Sequence, residues 1–368
     1  MRVFLNRISF RVPLLPNFPH SQRQRQRQRQ RQQQFYHQQR HHLYSGYGDK
    51  KEEEEEAVVV IMGATGTGKS KLSIDLSSAF AGEVVNSDKI QVYRGLDITT
   101  NKISLAERRS VPHHLLGALD PAAGELPRAR FRALAACAIR DIAARDRLPV
   151  IAGGSNSFVH ALLSERFDPQ GDPFVDEDAG EEEEKGRRRR RLLRYRCCFL
   201  WVHVEAAVLA EYLDRRVEEM LGQGMVEELE EYFATEGEEA ERRHPGLGKA
   251  IGVSEFKRYF TARGSRTNSE YDSAVAAIKA NTRRLAESQV RKMERLVAIG
   301  WPLRRVDATA TVEARLGAGL GASTTASCWK RDVEGPSLVA VEQLLLRKDG
   351  DVYDHRPHTR MCAAIRLH

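Results

Sequence analysis

A glycine-rich octapeptide, G-A-T-G-T-G-K-S at residues 63–70, carries the first recognisable chemistry of the chain. It fits the pattern G-x-x-x-x-G-K-[ST] at every fixed position, and it lies between an apolar strand-like run and a helical one, as a phosphate-binding loop requires. In such a loop the glycines let backbone N–H groups point at phosphate oxygens, the lysine adds a cation and the hydroxyl ligates Mg²⁺. The motif predicts a diphosphate or triphosphate ligand without specifying the reaction. The candidate binding residues are Gly63, Ala64, Thr65, Gly66, Thr67, Gly68, Lys69 and Ser70, with Ser70 as the metal ligand.

A hydroxyl and a carboxylate, Ser87 and Asp88, follow the next predicted strand, residues 83–86. Asp88 lies just past the carboxyl end of this strand, where sites assemble in open α/β sheets. A carboxylate there can accept a proton or hydrogen-bond an amino group of a bound base. Both residue types are also good helix N-caps. Position alone therefore leaves a catalytic and a capping role equally open for Asp88.

Polar residues elsewhere in the chain offer weaker candidates. The turn 153–157 contains Asn156 and follows a third predicted strand, and on its residues alone we favour capping over substrate contact. Lys279 and Arg283 are spaced i, i+4 on a late helix, which usually marks a solvated face. Opposite the phosphate loop, however, the same pair could bind a second phosphate chain.

Two further observations limit the chemistry. His113 and His114 have no partner at metal-ligand spacing, so we expect packed or hydrogen-bonded histidines. The predicted strand 148–152 does not end in an acidic residue, so the carboxylate that organises Mg²⁺ in P-loop hydrolases is missing there.

A parallel sheet must bring these residues together, and the pattern predicts one. Predicted strands at 58–62, 83–86, 148–152 and 195–204 alternate with predicted helices at 69–80 and 131–145. This alternation indicates an α/β fold in which helices cover a parallel sheet. Residues 205–233, with a break at Gly222 and Gly224, and 271–299 read as long helices. The pattern fades beyond about residue 308.

Charge and composition separate the chain into segments. Its 368 residues carry a net charge of +7, but residues 1–48 hold nine Arg and no acid, so the remainder carries −2. The basic charge is therefore poor evidence for nucleic-acid binding. The acid-free leader resembles an organellar transit peptide, with a disordered basic tail as the alternative. The predicted segments are a leader (1–48), a P-loop core (49–204), a helical domain (205–269), core-completing helices (270–346) and a tail (347–368).

Other composition features exclude whole classes of protein. No apolar run approaches the roughly 18 residues of a membrane span. The five cysteines form no C-x-x-C pair, which favours reduced core thiols over a disulfide framework or a zinc finger. The acidic and basic blocks within 172–191 are typical of a solvated loop.

Seven segments in order resemble the isopentenyltransferase superfamily, and more closely the plant adenylate isopentenyltransferases. These segments are GATGTGKS, NSDKIQVYRGLDITTNK, HHLLG, GGSNS, CCFLWV, AIGVSEF and IKANTRRLAESQ. The resemblance covers about residues 57–300 and continues weakly at 329–346. The sister group that acts on tRNA differs beside Asp88 and in the third turn, and its eukaryotic members often add a zinc finger.

The resemblance implies a P-loop NTPase-like fold with a smaller inserted helical domain, and it implies roles for the motif residues. The loop would hold the diphosphate of dimethylallyl diphosphate, with Ser70 binding it through Mg²⁺. Asp88 would be the base on the adenine N6 amine, and Thr65 would face the reacting groups. Ser87, Asn156 and Lys279 join the substrate-binding set, and ATP or ADP would be preferred over AMP as acceptor.

Alternatives stay open at this point. The same residues are compatible with a tRNA prenyltransferase, a P-loop small-molecule kinase or a non-catalytic nucleotide-binding protein. Arg130, His203 and Ser254 depart from the pattern of the family, although none lies in the loop or at Asp88. We expect a monomer without nucleic-acid or membrane partners, located in the plastid, with the mitochondrion or the cytoplasm as alternatives.

Overall fold

The computed structural model describes residues 56–171, 174, 193–261, 266–317 and 322–346. The chain divides into one unit of residues 1–50 and another of residues 51–368, and the described residues all belong to the second. The predicted leader, the charged run 175–191 and the tail 347–368 lie outside the described residues. The domain boundaries at residues 204 and 269 stay predictions.

A parallel sheet forms the centre of the described part, as the alternating pattern predicts. Its six strands lie in the order β3-β2-β4-β1-β5-β6, and every neighbouring pair is parallel. The strands are β1 Ala57–Gly63, β2 Gly82–Asn86, β3 His113–His114, β4 Leu148–Ala152, β5 Arg196–His203 and β6 Arg304–Asp307. Because β4 lies between β1 and β2, the carboxyl ends of these three strands lie side by side.

Helices flank the sheet and form the region between β5 and β6. The first three are α1 Lys69–Ala79, α2 Arg128–Ala143 and α3 Asn156–Leu163. The next five are α4 Ala206–Gly222, α5 Met225–Glu236, α6 Ala240–Arg243, α7 Val253–Thr261 and α8 Asn268–Ala298. The last three are α9 Thr309–Leu316, α10 Ala322–Trp329 and α11 Gly335–Leu346. Among the described residues, no helix has both the length and the apolar character that a membrane span needs.

The central strand β1 forms the middle of the core. Its residues from Val58 to Met62 are fully buried, and it pairs with β4 on one side and with β5 on the other. A strand that is covered on both faces needs apolar residues at every position, not at alternate ones. This requirement explains the uninterrupted apolar run that precedes the glycine-rich loop.

The structure adds two edge strands that the sequence pattern did not predict. The strand β3 has only two residues, and β6 has four, of which Arg304, Arg305 and Asp307 are exposed. Such short or polar segments carry too little periodicity to be recognised. As predicted, both histidines of β3 are hydrogen-bonded: His113 Nδ1 lies 2.8 Å from Val111 O, and His114 Nε2 lies 2.7 Å from Glu83 Oε2.

The predicted helix 205–233 is two helices, α4 and α5. They separate at the predicted break, where Gly224 adopts a φ of 98°. The start of α8 is earlier than predicted, since Thr267 and Glu270 form a reciprocal capping box there.

Trp329, at the end of α10, joins the C-terminal helices to the glycine-rich loop. Its side chain is 3% exposed, and a Cβ placed on Gly68 would lie 2.9 Å from its ring carbons. The indole Nε1 donates to Asp75 Oδ2 at 2.8 Å, and the Lys71 ammonium lies 4.5 Å from the ring centroid. The segment in which the sequence pattern fades is therefore packed against α1.

We predict that Trp329→Ala lowers the free energy of unfolding by about 3–5 kcal/mol, because it leaves a cavity between α10 and α1. Trp329→Phe should cost only about 1–2 kcal/mol, since it keeps most of the packing and loses the hydrogen bond to Asp75. Urea unfolding of the two variants measures both values. Equal losses would contradict a packing role for the ring.

Candidate functional site

The glycine-rich loop connects β1 to α1 at the carboxyl edge of the sheet. A Cβ on Gly63 would lie 2.6 Å from Val202 O of β5, so only glycine fits this close approach. Gly68 adopts a φ of 98° at the start of α1, where no side chain caps the helix and no acid lies in the first turn. The backbone N–H groups of that turn therefore remain available to an anion, which the helix dipole also favours.

Lys69 is the cation of this loop. Its Nζ donates to Ala64 O at 2.7 Å, and Thr67 Oγ1 donates to the same carbonyl at 2.9 Å. Burial lowers the pKa of Lys69 to about 8, the charge of Asp88 opposes that shift, and the charge of Arg216 adds to it. An anionic ligand would restore the charged form by supplying the missing counter-charge.

Arg216 of α4 is a second cation at the loop, and our sequence interpretation missed it. Its Nη1 donates to Thr65 Oγ1 at 3.0 Å. Burial lowers its pKa, while the charges of Tyr212, Glu219 and Asp88 oppose that shift. The residue lies 151 positions from its partner in the chain, so local spacing contains no signal for it.

Asp88 uses its two carboxylate oxygens differently. Oδ1 accepts hydrogen bonds from the backbone N–H groups of Ile90 at 2.9 Å and Gln91 at 3.1 Å. Oδ2 accepts no hydrogen bond from any described residue. Oδ1 thus caps the following turn, while Oδ2 takes no part in this cap, so the role of Asp88 as a base stays a prediction with which the geometry is compatible.

The turn after β4 packs directly against the backbone that carries Asp88. A Cβ on Gly153 would lie 2.3 Å from the carbonyl carbon of Ser87 and 2.5 Å from Asp88 N. Since both are backbone atoms, no side chain at residue 153 can be accommodated without moving the strand ends. The Ser87 hydroxyl is buried and has no hydrogen-bond partner among the described residues.

Asn156 and Gln289 connect this turn to α8. Asn156 is 3% exposed, and its Nδ2 donates to the backbone oxygen of Gln289 at 2.9 Å. The Gln289 side chain accepts from Thr65 N at 2.8 Å and donates to Gly154 O at 2.9 Å. Gln289 was not among the predicted site residues, although it is the last residue of the segment IKANTRRLAESQ.

The predicted phosphate-binding cations of α8 are both in ion pairs with α4. Lys279 pairs with Glu218, and Arg283 Nη1 lies 2.6 Å and 2.5 Å from the two carboxylate oxygens of Asp214. Lys249, a further basic residue, pairs with Glu125. A phosphate chain would have to exchange with these carboxylates, so their role in acceptor binding stays a prediction.

The three departures from the family pattern have separate surroundings. Arg130 is exposed on α2, and Ser254 Oγ donates to Glu255 Oε2 at 2.8 Å at the start of α7. His203 ends β5, and burial lowers its pKa, as does the charge of Arg305.

The pKa of Lys69 leads to a prediction for anion binding. In the free protein, inorganic diphosphate should bind more weakly as the pH rises through about 8, because Lys69 loses its proton there. Deprotonation of one such group lowers the diphosphate affinity by at most about tenfold per pH unit. Lys69→Arg is the matched control, since its guanidinium stays charged and the ionisation of diphosphate itself affects both proteins equally. Isothermal titration calorimetry from pH 6.5 to 9.5 measures the diphosphate affinity of both proteins. Identical pH profiles for the two proteins would contradict the pKa assigned to Lys69.

Comparisons with known proteins agree on one family. The chain matches the family described as IPP transferase over residues 91–193 and 171–295. An adenylate isopentenyltransferase of Humulus lupulus is 48% identical over 299 residues, which cover 77% of this chain and 89% of that protein. The chloroplastic adenylate isopentenyltransferase 1 of Arabidopsis thaliana is 45% identical over 295 residues, which cover 78% of this chain and 80% of that protein.

Solved structures support the fold. A eukaryotic dimethylallyltransferase acting on tRNA superposes with a TM-score of 0.63, at 23% identity and with 79% of each chain covered. At this identity the likeness concerns the fold alone. Together with the sequence identity to the curated relatives, these matches show that the chain belongs to the adenylate isopentenyltransferases of the IPP transferase family.

Proposed function

We propose that this protein transfers a dimethylallyl group from dimethylallyl diphosphate to the N6 atom of an adenine nucleotide, with ATP or ADP preferred over AMP. This is the first step of cytokinin synthesis. The observation that carries the proposal is the placement of Asp88: its Oδ2 lacks a hydrogen bond within the described residues, and its charge acts on both Lys69 and Arg216. A base and an anion-binding loop thus border one site.

In the proposed reaction, the lone pair of the N6 amine forms a bond to the allylic carbon of the donor. The C–O bond of the donor breaks, and its electrons pass to the diphosphate. Asp88 takes the proton of the amine, while Lys69 and Arg216 oppose the charge of the leaving diphosphate. The protein contributes mainly positioning and charge stabilisation, because alkyl transfer needs no covalent intermediate.

Mg²⁺ is part of the proposal, and the residues present fit it. The Ser70 side chain is exposed and makes no hydrogen bond with the described residues. In the described part of the chain, no three His, Cys, Asp or Glu side chains are grouped to hold a metal ion. A single protein hydroxyl, that of Ser70, suits Mg²⁺, which keeps several water ligands and binds mainly to phosphate oxygens. When bound, Mg²⁺ would neutralise charge on the diphosphate.

The localisation proposed is the plastid. Five relatives bear the word chloroplastic in their names and one bears the word mitochondrial, which supports an organelle without deciding between the two. The nine arginines and absent acids of residues 1–48 are typical of a transit peptide for either.

The function is tested by incubating the purified protein with Mg²⁺, dimethylallyl diphosphate and ATP, ADP, AMP or tRNA in parallel. We expect N6-dimethylallyl products with the free nucleotides, and a higher kcat/KM for ATP and ADP than for AMP. Phosphorylated products without prenylated adenine would support a kinase. A product on tRNA alone would support the sister activity, and nucleotide binding without turnover would support a non-catalytic protein.

Asp88→Asn separates the two roles of this residue. Asparagine keeps an oxygen for the N–H groups of Ile90 and Gln91, but it cannot take a proton. We therefore expect kcat to fall about 10²–10⁴-fold, the usual contribution of a general base, while thermal stability and diphosphate affinity stay near those of the unchanged protein.

Asp88→Ala is the matched comparison, because it removes both the base and the cap. It should lose turnover and some stability. Near-complete activity of Asp88→Asn would show that the carboxylate serves only as a cap.

A further inference from the structure

Gln289 connects the two turns that follow the paired strands β1 and β4. Its carboxamide spans from the N–H of Thr65, in the phosphate loop after β1, to the carbonyl of Gly154, in the turn after β4. The donor–acceptor distances are 2.8 Å and 2.9 Å. Both atoms of the carboxamide are thus used, one as acceptor and one as donor, and the amide geometry sets the spacing of the two turns.

The turn after β4 also borders the proposed base. A Cβ placed on Gly154 would lie 2.5 Å from Gln289 Nε2 and 3.1 Å from Asp88 Oδ2. The carboxamide and the available oxygen of Asp88 therefore border the same small space, which a side chain at residue 154 would fill. The N–H of Ser155, the next residue of this turn, donates to Ser87 O at 3.2 Å, so a displacement of the turn relative to the loop would also displace the backbone beside Asp88.

Thr65 is held from two sides. Its N–H donates to Gln289, and its hydroxyl accepts from Arg216. The Thr65 N–H is consequently not available to a phosphate oxygen, unlike the uncapped N–H groups of the first turn of α1. The carboxamide thus supports the shape of the loop instead of competing with its ligand.

The burial of Gln289 strengthens this interpretation. The residue is 6% exposed in the middle of α8, and a carboxamide in such a place costs free energy unless its polar atoms are paired. An apolar residue would suffice if this position only packed α8 against the sheet. The attachment of α8 to α3 has its own hydrogen bond, from Asn156 to the backbone oxygen of Gln289, which does not need the side chain.

We propose that Gln289 is a positioning residue that sets the distance between the phosphate loop and Asp88. The inference rests on the proposed prenyl transfer, since it assigns the leaving group to the loop and the base to Asp88. Removing the carboxamide should leave diphosphate binding intact, because the ligand-binding groups stay in place. It should slow the chemical step, since a misplacement of about 1 Å between reacting groups can cost about 10²-fold.

The experiment compares Gln289→Met with the unchanged protein. Methionine keeps the length and the packing of the side chain but makes neither hydrogen bond. We expect kcat to fall about 10- to 100-fold, while the KM for dimethylallyl diphosphate and the Kd of inorganic diphosphate change less than about twofold. Gln289→Glu keeps the acceptor for the Thr65 N–H and loses the donor to Gly154 O, so it should also lower kcat. This variant replaces Gln289→Met in the test if the methionine variant does not fold.

Met293→Ala is the matched control, since Met293 is fully buried one turn further along α8 and contributes only packing. It should lower the thermal midpoint and leave kcat unchanged below that midpoint. Unchanged kcat in both Gln289 variants, or a parallel loss of kcat and diphosphate affinity, would overturn the inference. Failure of the proposed function can be distinguished from failure of this inference, because in the first case the unchanged protein would form no prenylated nucleotide.

Discussion

The close approach of two backbone segments at Gly153 is the constraint on which the site depends. The backbone of residues 87 and 88 passes so near to this glycine that a single added carbon would collide with main-chain atoms at 2.3 Å and 2.5 Å. The contact follows from the strand order, since β2 and β1 do not pair with each other and both pair with β4. The turn after β4 therefore determines how near the carboxylate after β2 comes to the phosphate loop after β1.

The electrostatics of the site follow from this geometry. Lys69 and Arg216 lie beside the loop, and burial makes the charged form of each less favourable. Asp88 is the acid whose charge opposes that effect on both side chains, so the carboxylate of the proposed base also helps to keep the cations charged. Two cations of α8, Lys279 and Arg283, are instead neutralised by acids of α4. Lys69 and Arg216 are thus the cations that lie beside the loop, where the diphosphate of the proposed donor would bind.

Side chains from distant parts of the chain form the surroundings of the loop. Gln289 of α8 reaches the N–H of Thr65, and Trp329 of α10 packs against Gly68. Glycine at residue 68 thus serves two purposes, because it allows the left-handed turn before α1 and leaves room for the indole. A phosphate loop is a local motif, but in this protein its shape depends on helices that follow it by more than 200 residues.

The sequence by itself determined the elements whose signals are local. The glycine-rich loop, the buried strand before it and the helix after it lie within 23 consecutive residues, and the residue types of that stretch are enough to recognise all three. The position of Asp88 after β2 was equally readable, although its division into a capping and an available oxygen was not. Only the tertiary structure decided the remaining features. These are the contacts of Arg216 and Gln289, the pairing of Lys279 with Glu218, and the strands β3 and β6. The partners of these side chains lie far away in the chain, and the two strands are too short to show a period. Burial and strand order therefore determine where these residues lie, and local spacing in the sequence does not indicate it.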